Sequence, residues 1–334
     1  MELELSDMSS NNPVPTGSIE HRQYPIGALP ANEVAGILVN PLCKEQIALD
    51  PLMQEWKQKA SLYNSIPPAN LNTVDTDILP LNVSAGVKVK IDAVVSSCRS
   101  MLPPSFDLAF VPIEKLVTPQ KSVIVERARV SFGKATGVLS QDAIAQFCLG
   151  TPVSVPQIDA ALLGVGANPQ APNQVVFVYQ FSSLDMDVRP IFPSGLQPFQ
   201  TVNWSAPGST HPLELKSIPV TVGPGAASVI VRKVPIGVTG TGSVIYRLII
   251  QNGVHRIFRL AEMGNSHVAA VVHTVTPNEL EAVMVDTPRE ILIGQRPLTI
   301  GDLVNSKITK AFQWRRAQNV FKLQVTVQHD RTFV

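Results

Sequence analysis

The sequence predicts an all-β protein, an antiparallel β-sandwich of jelly-roll type with a few short helices and an extended N-terminal arm. Three observations predict it. Short apolar runs of period two recur along the chain, as in Val87-Lys88-Val89-Lys90-Ile91-Asp92, a spacing that turns one face inward and the other outward. Many of the 28 prolines flank such runs, among them Pro80, Pro103, Pro104, Pro112, Pro219, Pro224, Pro235 and Pro297. A residue without an N–H ends a strand more readily than it sits in a ladder. No strand–helix alternation of the βαβ kind is evident, and the loops are often longer than hairpins need, which favours a jelly roll over an up-and-down barrel.

Residues 1–47 read as the arm, because Ser, Asn, Pro and Gly dominate 9–31 and no apolar period is sustained. Segments of this kind either stay disordered or become ordered by lying on a partner. The domain proper is expected over 48–334. Asp50-Pro51 opens a helix with a capping side chain and a proline, and Leu52, Trp56 and Ala60 carry it to residue 61 before Ser65-Ile66-Pro67-Pro68. Strands are expected at 87–92, at Phe106–Val111 closed by Pro112, and at Val123–Val130. Ser140–Leu149 reads as a helix stopped by Gly150, and 150–174 as a connection rich in Pro, Gly, Ala and Asn. Further strands are expected at 175–182, 185–192, 217–222, 227–235, 243–251, 253–260 and 267–274, with Asn252-Gly253 as a hairpin turn. Thr276-Pro277-Asn278-Glu279 caps one more helical turn, and Val320–Gln328 alternates as a last strand.

Apolar residues make up 45% and charged residues 16% of the chain, against roughly 25% charged in an ordinary soluble domain. A weakly charged surface suits burial against neighbouring subunits, and a large apolar core accounts for the same composition equally well. Net charge is +1, and Met1–Asp7 is acidic, so a basic arm that condenses nucleic acid is not expected. Cys43, Cys98 and Cys148 form neither a disulfide framework nor a zinc spacing. Nothing reads as a signal peptide, and no apolar run is long enough to span a membrane.

The search for chemistry yields little. Gly237–Gly242 leads into a strand and Gly164-Val165-Gly166 into Ala-Asn-Pro, so both read as turns and not as phosphate cradles. There is no G-x-S-x-G elbow, and Cys148 reads as a buried structural thiol. The six histidines lack metal spacing, although His267 and His273 fall on the same side of one strand. Asp185 and Asp187, like Asp75 and Asp77, are i, i+2 pairs and weak candidates for a hard cation, with plain solvation the simpler account. Lys307, Lys310, Trp314, Arg315 and Arg316 combine bases with an aromatic and suit a phosphate and stacked-base contact, or equally a solvated helix end. No catalytic residue, cofactor or enzyme activity is expected.

Two stretches resemble the capsid proteins of picorna-like viruses. The first is Val87–Pro112, an alternating strand followed by Phe106-Asp107-Leu108-Ala109-Phe110-Val111-Pro112, with Pro104 and Ser105 where that family often has glycine. The second is Ile293–Val304, in which Gly294 precedes a short helix; Thr299 can cap it against Asp302, with Leu303 as an anchor. Gln295 and Gly301 depart from that family's usual glutamate and basic residue. The resemblance implies a subunit that assembles with copies of itself or related subunits into an icosahedral shell. Viral RNA would be a secondary partner, and the locations would be the virion and, during assembly, the host cytoplasm. The Met1 start suggests independent translation. Two other classes compete: a 30K-type plant-virus movement protein binding single-stranded nucleic acid, which the near-neutral charge disfavours, and a viral matrix-type protein, which needs a lysine-rich face.

Overall fold

The computed structural model describes residues 19–97, 99, 102–130, 136–150, 159–168, 171–183, 188–191, 200–204, 213–217, 221–224, 228–315 and 319–328. In chain order, β1 (Ile19–Tyr24) leads through a 3-10 turn into α1 (Ala31–Val39) and α2 (Leu49–Ser65). Then come β2 (Leu79–Pro80), α3 (Ala85–Ser97), β3 (Asp107–Pro112), β4 (Leu116–Val117), β5 (Val123–Ile124), α4 (Val125–Val130) and α5 (Gln141–Leu149). Strands follow with no helix described between them: β6 (Asp159–Asn168), β7 (Ala171–Ser183), β8 (Val188–Ile191), β9 (Gln200–Trp204), β10 (Leu213–Ser217) and β11 (Thr221–Pro224). The last stretch is β12 (Ile230–Val238), β13 (Val244–Asn252), α6 (Val254–Glu262), β14 (His267–Thr274), α7 (Pro277–Asp286), α8 (Arg289–Ile293), α9 (Ile300–Val304), β15 (Lys310–Arg315) and β16 (Asn319–Gln328).

The chain is therefore mixed α/β, and the all-β expectation is met only in its antiparallel strands. Its centre is a six-stranded sheet of order β2-β3-β14-β12-β13-β4. Two of its pairs, β12 with β14 and β13 with β4, are parallel. The main core lies on this sheet, where Phe110, Leu248, Ile257, Phe258, Val268, Val271 and Leu303 cluster with residues of α5 and α6. A smaller cluster of Val234, Ile249, Val275, Val283 and Leu292 brings α7 and α8 to the sheet. β14 is buried from Val268 to His273, as expected of a strand covered on both faces, and its sequence is correspondingly an unbroken apolar run.

A three-stranded sheet, β15-β1-β5, forms the second unit. It shares a core with α1 and α2, made of Ile26, Val34, Ile37, Leu52, Phe312 and Trp314. Within the expected arm, residues 1–18 lie outside the described residues. From Ile19 onward the arm reading is corrected, because Ile19–Tyr24 pairs residue for residue with β15. The remaining strands form β16-β7-β6 and the two pairs β8–β11 and β9–β10, all antiparallel.

Three expected strands are helices. Val87–Asp92 lies in α3, where Ile91 and Val94 are buried and Val89 is 69% exposed; Val87, Ile91 and Val94 also satisfy i, i+4, i+7, so the alternation was shared by two periods. Val125–Val130 is α4, with Val125 and Ala128 buried at i, i+3. Residues 254–262 form α6, and Gly253, at φ 92°, is its N-cap and not a hairpin turn. The expected connection at 150–174 contains β6 and the start of β7. The first expected helix starts two residues earlier, with Ala48 at its N-cap and Asp50 in its first turn, and runs on to Ser65. Ser140 caps α5 by accepting from the Ala143 N–H. Thr239–Gly242 forms the expected turn between β12 and β13, while Gly237 and Val238 still belong to β12.

Candidate functional site

The basic and aromatic group near the C-terminus comes apart when its backbone is a strand. Along β15, Phe312 and Trp314 point inward while Ala311, Gln313 and Arg315 face out. Trp314 is 4% exposed. It stacks on Tyr24 with ring centroids 6.1 Å apart, and the Arg22 guanidinium lies 4.7 Å from its ring centroid. Lys310 is held by Glu55, Nζ to Oε2 2.7 Å. Lys307 is exposed in the turn before the strand and Arg315 is exposed on the opposite face; Arg316 lies outside the described residues. The structure thus gathers Lys310 and Trp314 into the core side of one sheet and leaves Lys307 and Arg315 apart.

Asp185 and Asp187 also lie outside the described residues. Asp75 forms an ion pair with Lys233, and Asp77 accepts from the Val74 N–H at 2.9 Å, so each of these carboxylates has its own local partner. Cys148 is fully buried, and burial pushes its thiol up to about 12, the state of a packed side chain. Gly294 ends α8, where a Cβ would lie 2.2 Å from the Glu290 carbonyl oxygen. Thr299 and Asp302 form the expected reciprocal cap on α9: Oγ1 accepts from the Asp302 N–H at 3.2 Å, and Asp302 Oδ2 accepts from the Thr299 N–H at 2.9 Å. Leu303 is fully buried beneath it.

The cleft that does gather polar chemistry was not expected from sequence. It has a volume of about 510 Å³ and is lined by Leu102, Pro103, Pro104, Ile230, Arg232, Gln251, His273, Asn278, Glu279 and Val283. Parallel pairing of β12 with β14 sets Arg232 beside His273, β13 brings Gln251, and the first turn of α7 brings Asn278 and Glu279. His273 is 5% exposed. Its Nδ1 lies 2.7 Å from the Ser105 carbonyl oxygen and its Nε2 3.2 Å from Glu279 Oε1. A neutral imidazole donates to only one of these acceptors, whereas a protonated ring donates to both. Glu279 also accepts from the Thr276 N–H at 2.9 Å and from its hydroxyl at 2.8 Å. Those two bonds, with His273 beside them, hold its carboxyl below the usual glutamate range.

Among the described residues, Arg232 forms no ion pair, and the side-chain amides of Gln251 and Asn278 make no hydrogen bond. The Thr276–Glu279 cap and the polar residue closing an apolar strand were both readable in sequence. Arg232 and Gln251 were not, because only sheet order brings them there. No protein-family model matches the chain, and neither a curated protein nor a solved structure matches it.

Proposed function

We propose that this chain is a structural protein that assembles with copies of itself, as the capsid subunit of an icosahedral viral shell. The observation that carries self-assembly is the pair of open edges on the β16-β7-β6 sheet. In the six-stranded sheet and in β15-β1-β5 the outer edges are blunted or covered. The six-stranded sheet ends in β2 and β4, each two residues long, and β2 contains Pro80. The outer edge of β15 is covered, since the Arg315 N–H donates to Leu42 O at 2.7 Å and the Lys44 N–H to Gln313 O at 2.8 Å. By contrast, β6 and β16 are each ten residues long, and among the described residues no strand pairs with their outer sides. Each carries one charged residue, Asp159 or Lys322, and neither contains proline. A monomer normally protects edges of this kind.

The register supports a second layer as well. Positions 321, 323, 325 and 327 of β16 lie beside 181, 179, 177 and 175 of β7, and the same β7 positions lie beside 160, 162, 165 and 167 of β6. All twelve are apolar in sequence, so this sheet has one face that calls for cover. The pair β8–β11 encloses the pair β9–β10, the nested antiparallel order from which a jelly roll is wound. The jelly-roll part of the proposal is thereby narrowed to β6–β11 and β16. The capsid part is supported by the resemblance at Ile293–Val304, and the low charge fits extensive contact between subunits. A nucleic-acid-binding movement protein is less well supported, because Trp314 is packed inside.

Size-exclusion chromatography with light scattering, together with negative-stain electron microscopy across salt and pH, tests the proposal. Closed particles or their subassemblies are expected. A strict monomer under every condition would overturn it.

A further inference from the structure

We propose that the cleft between β12, β14 and α7 binds a small monocarboxylate with a short aliphatic body, at a site independent of the assembly edges. Arg232 supplies the recognition. Its planar guanidinium presents paired N–H donors that match a carboxylate, and among the described residues no acidic side chain takes that role. The acid among the described lining residues, Glu279, is already bonded to the Thr276 N–H, the Thr276 hydroxyl and His273. Its charge nevertheless stays in the cleft. One unpaired cation in a cleft that also holds one engaged anion favours a single negative charge over the double charge of a phosphate monoester. The Gln251 and Asn278 amides add donors that make no hydrogen bond among the described residues. Leu102, Pro103, Pro104, Ile230 and Val283 form the apolar wall against which a short chain lies. A volume of about 510 Å³ is in the range of small-molecule sites, which pair an apolar lining with a few placed polar groups.

Isothermal titration of the full chain with acetate, butyrate and hexanoate tests this, with inorganic phosphate as the contrasting anion. Affinity is expected to rise by about fourfold for each methylene that becomes buried. Arg232→Gln is expected to weaken hexanoate by tenfold or more, as loss of a hydrogen-bonded charge pair costs about that factor at the least, while Arg232→Lys falls between. Circular dichroism confirms that the variants fold. If Arg232→Gln does not, Asn278→Ala and Gln251→Leu carry the test, each expected to weaken binding by about threefold. Four results would overturn the site: no saturable binding of hexanoate, equal affinity along the chain-length series, tighter binding of phosphate, or affinity unchanged in the variants.

Discussion

Trp314 and Glu279 show how differently two residues of similar prominence in sequence can be read. Trp314 stood among bases, and only the strand period reveals that it shares its inward side with Phe312. Glu279 stood three residues after a threonine, and a capping box is so local that the sequence contains all of it. The structure adds His273 to that cap at 3.2 Å, beside the Thr276 N–H and hydroxyl that do most to lower the Glu279 carboxyl. Because Glu279 titrates below the usual glutamate range in the folded chain, the unfolded state binds the proton more readily. Its contribution to stability is therefore complete above the unfolded value of about 4.3 and is lost as pH falls through the lower folded value. Glu279→Gln keeps an acceptor for the Thr276 N–H but removes the charge. At pH 6 the variant is expected to melt below the parent, and the gap should close as the pH approaches 3. A gap that stays constant over that range would show that the charge contributes nothing.

Elements whose signals are local were legible: the Ser140 cap, the Thr276 and Thr299 boxes, and the turn at Thr239–Gly242. Those read wrongly were short apolar stretches in which two periods coincide, so that packing decided between them. Asn252-Gly253 is the sharpest case. The dipeptide does supply the left-handed glycine a hairpin needs, yet here that conformation turns the chain out of β13 and into α6, with the Gly253 carbonyl accepting from the Ile257 N–H at 3.1 Å. The turn is also tight. A Cβ on Gly253 would lie 2.8 Å from Val229 Cγ2 and 3.1 Å from its Cα, at a φ of +92°. Gly253→Ala is therefore expected to destabilise the fold by about 1–3 kcal/mol, read as a lower urea midpoint. Gly240→Ala is the control, since a Cβ there meets nothing within 4 Å, and its midpoint should barely move. Equal effects from the two substitutions would contradict the account of Gly253 as the pivot between strand and helix.

At the scale of the whole molecule, sequence pattern was a weak guide because the decisive links are non-local. The pairing of β12 with β14 skips over β13 and α6, and it is this parallel link, invisible to periodicity, that turns an expected sandwich into a mixed sheet covered by helices. The same link builds the Arg232–His273 cleft. What the sequence did anticipate is β7 from Val175, as a strand-like run, and β16, as an alternating one, and it is their sheet that leaves long edges open. If those edges join neighbouring copies, assembly should respond to charge placed along them while the protomer does not. Gln324→Lys with Thr326→Lys adds two lysines to β16 at positions that alternate with Phe321, Leu323, Val325 and Val327 and so fall on the other side of the sheet, the device by which natural edges resist pairing. Ala161→Lys does the same for β6, on the side that register shares with Gln180. The far-ultraviolet spectrum is expected to match the parent in both variants, with light scattering showing a shift from assemblies toward protomers in at least one. Particles of parental size, formed at the parental concentration in both variants, would place the subunit contact elsewhere on the molecule.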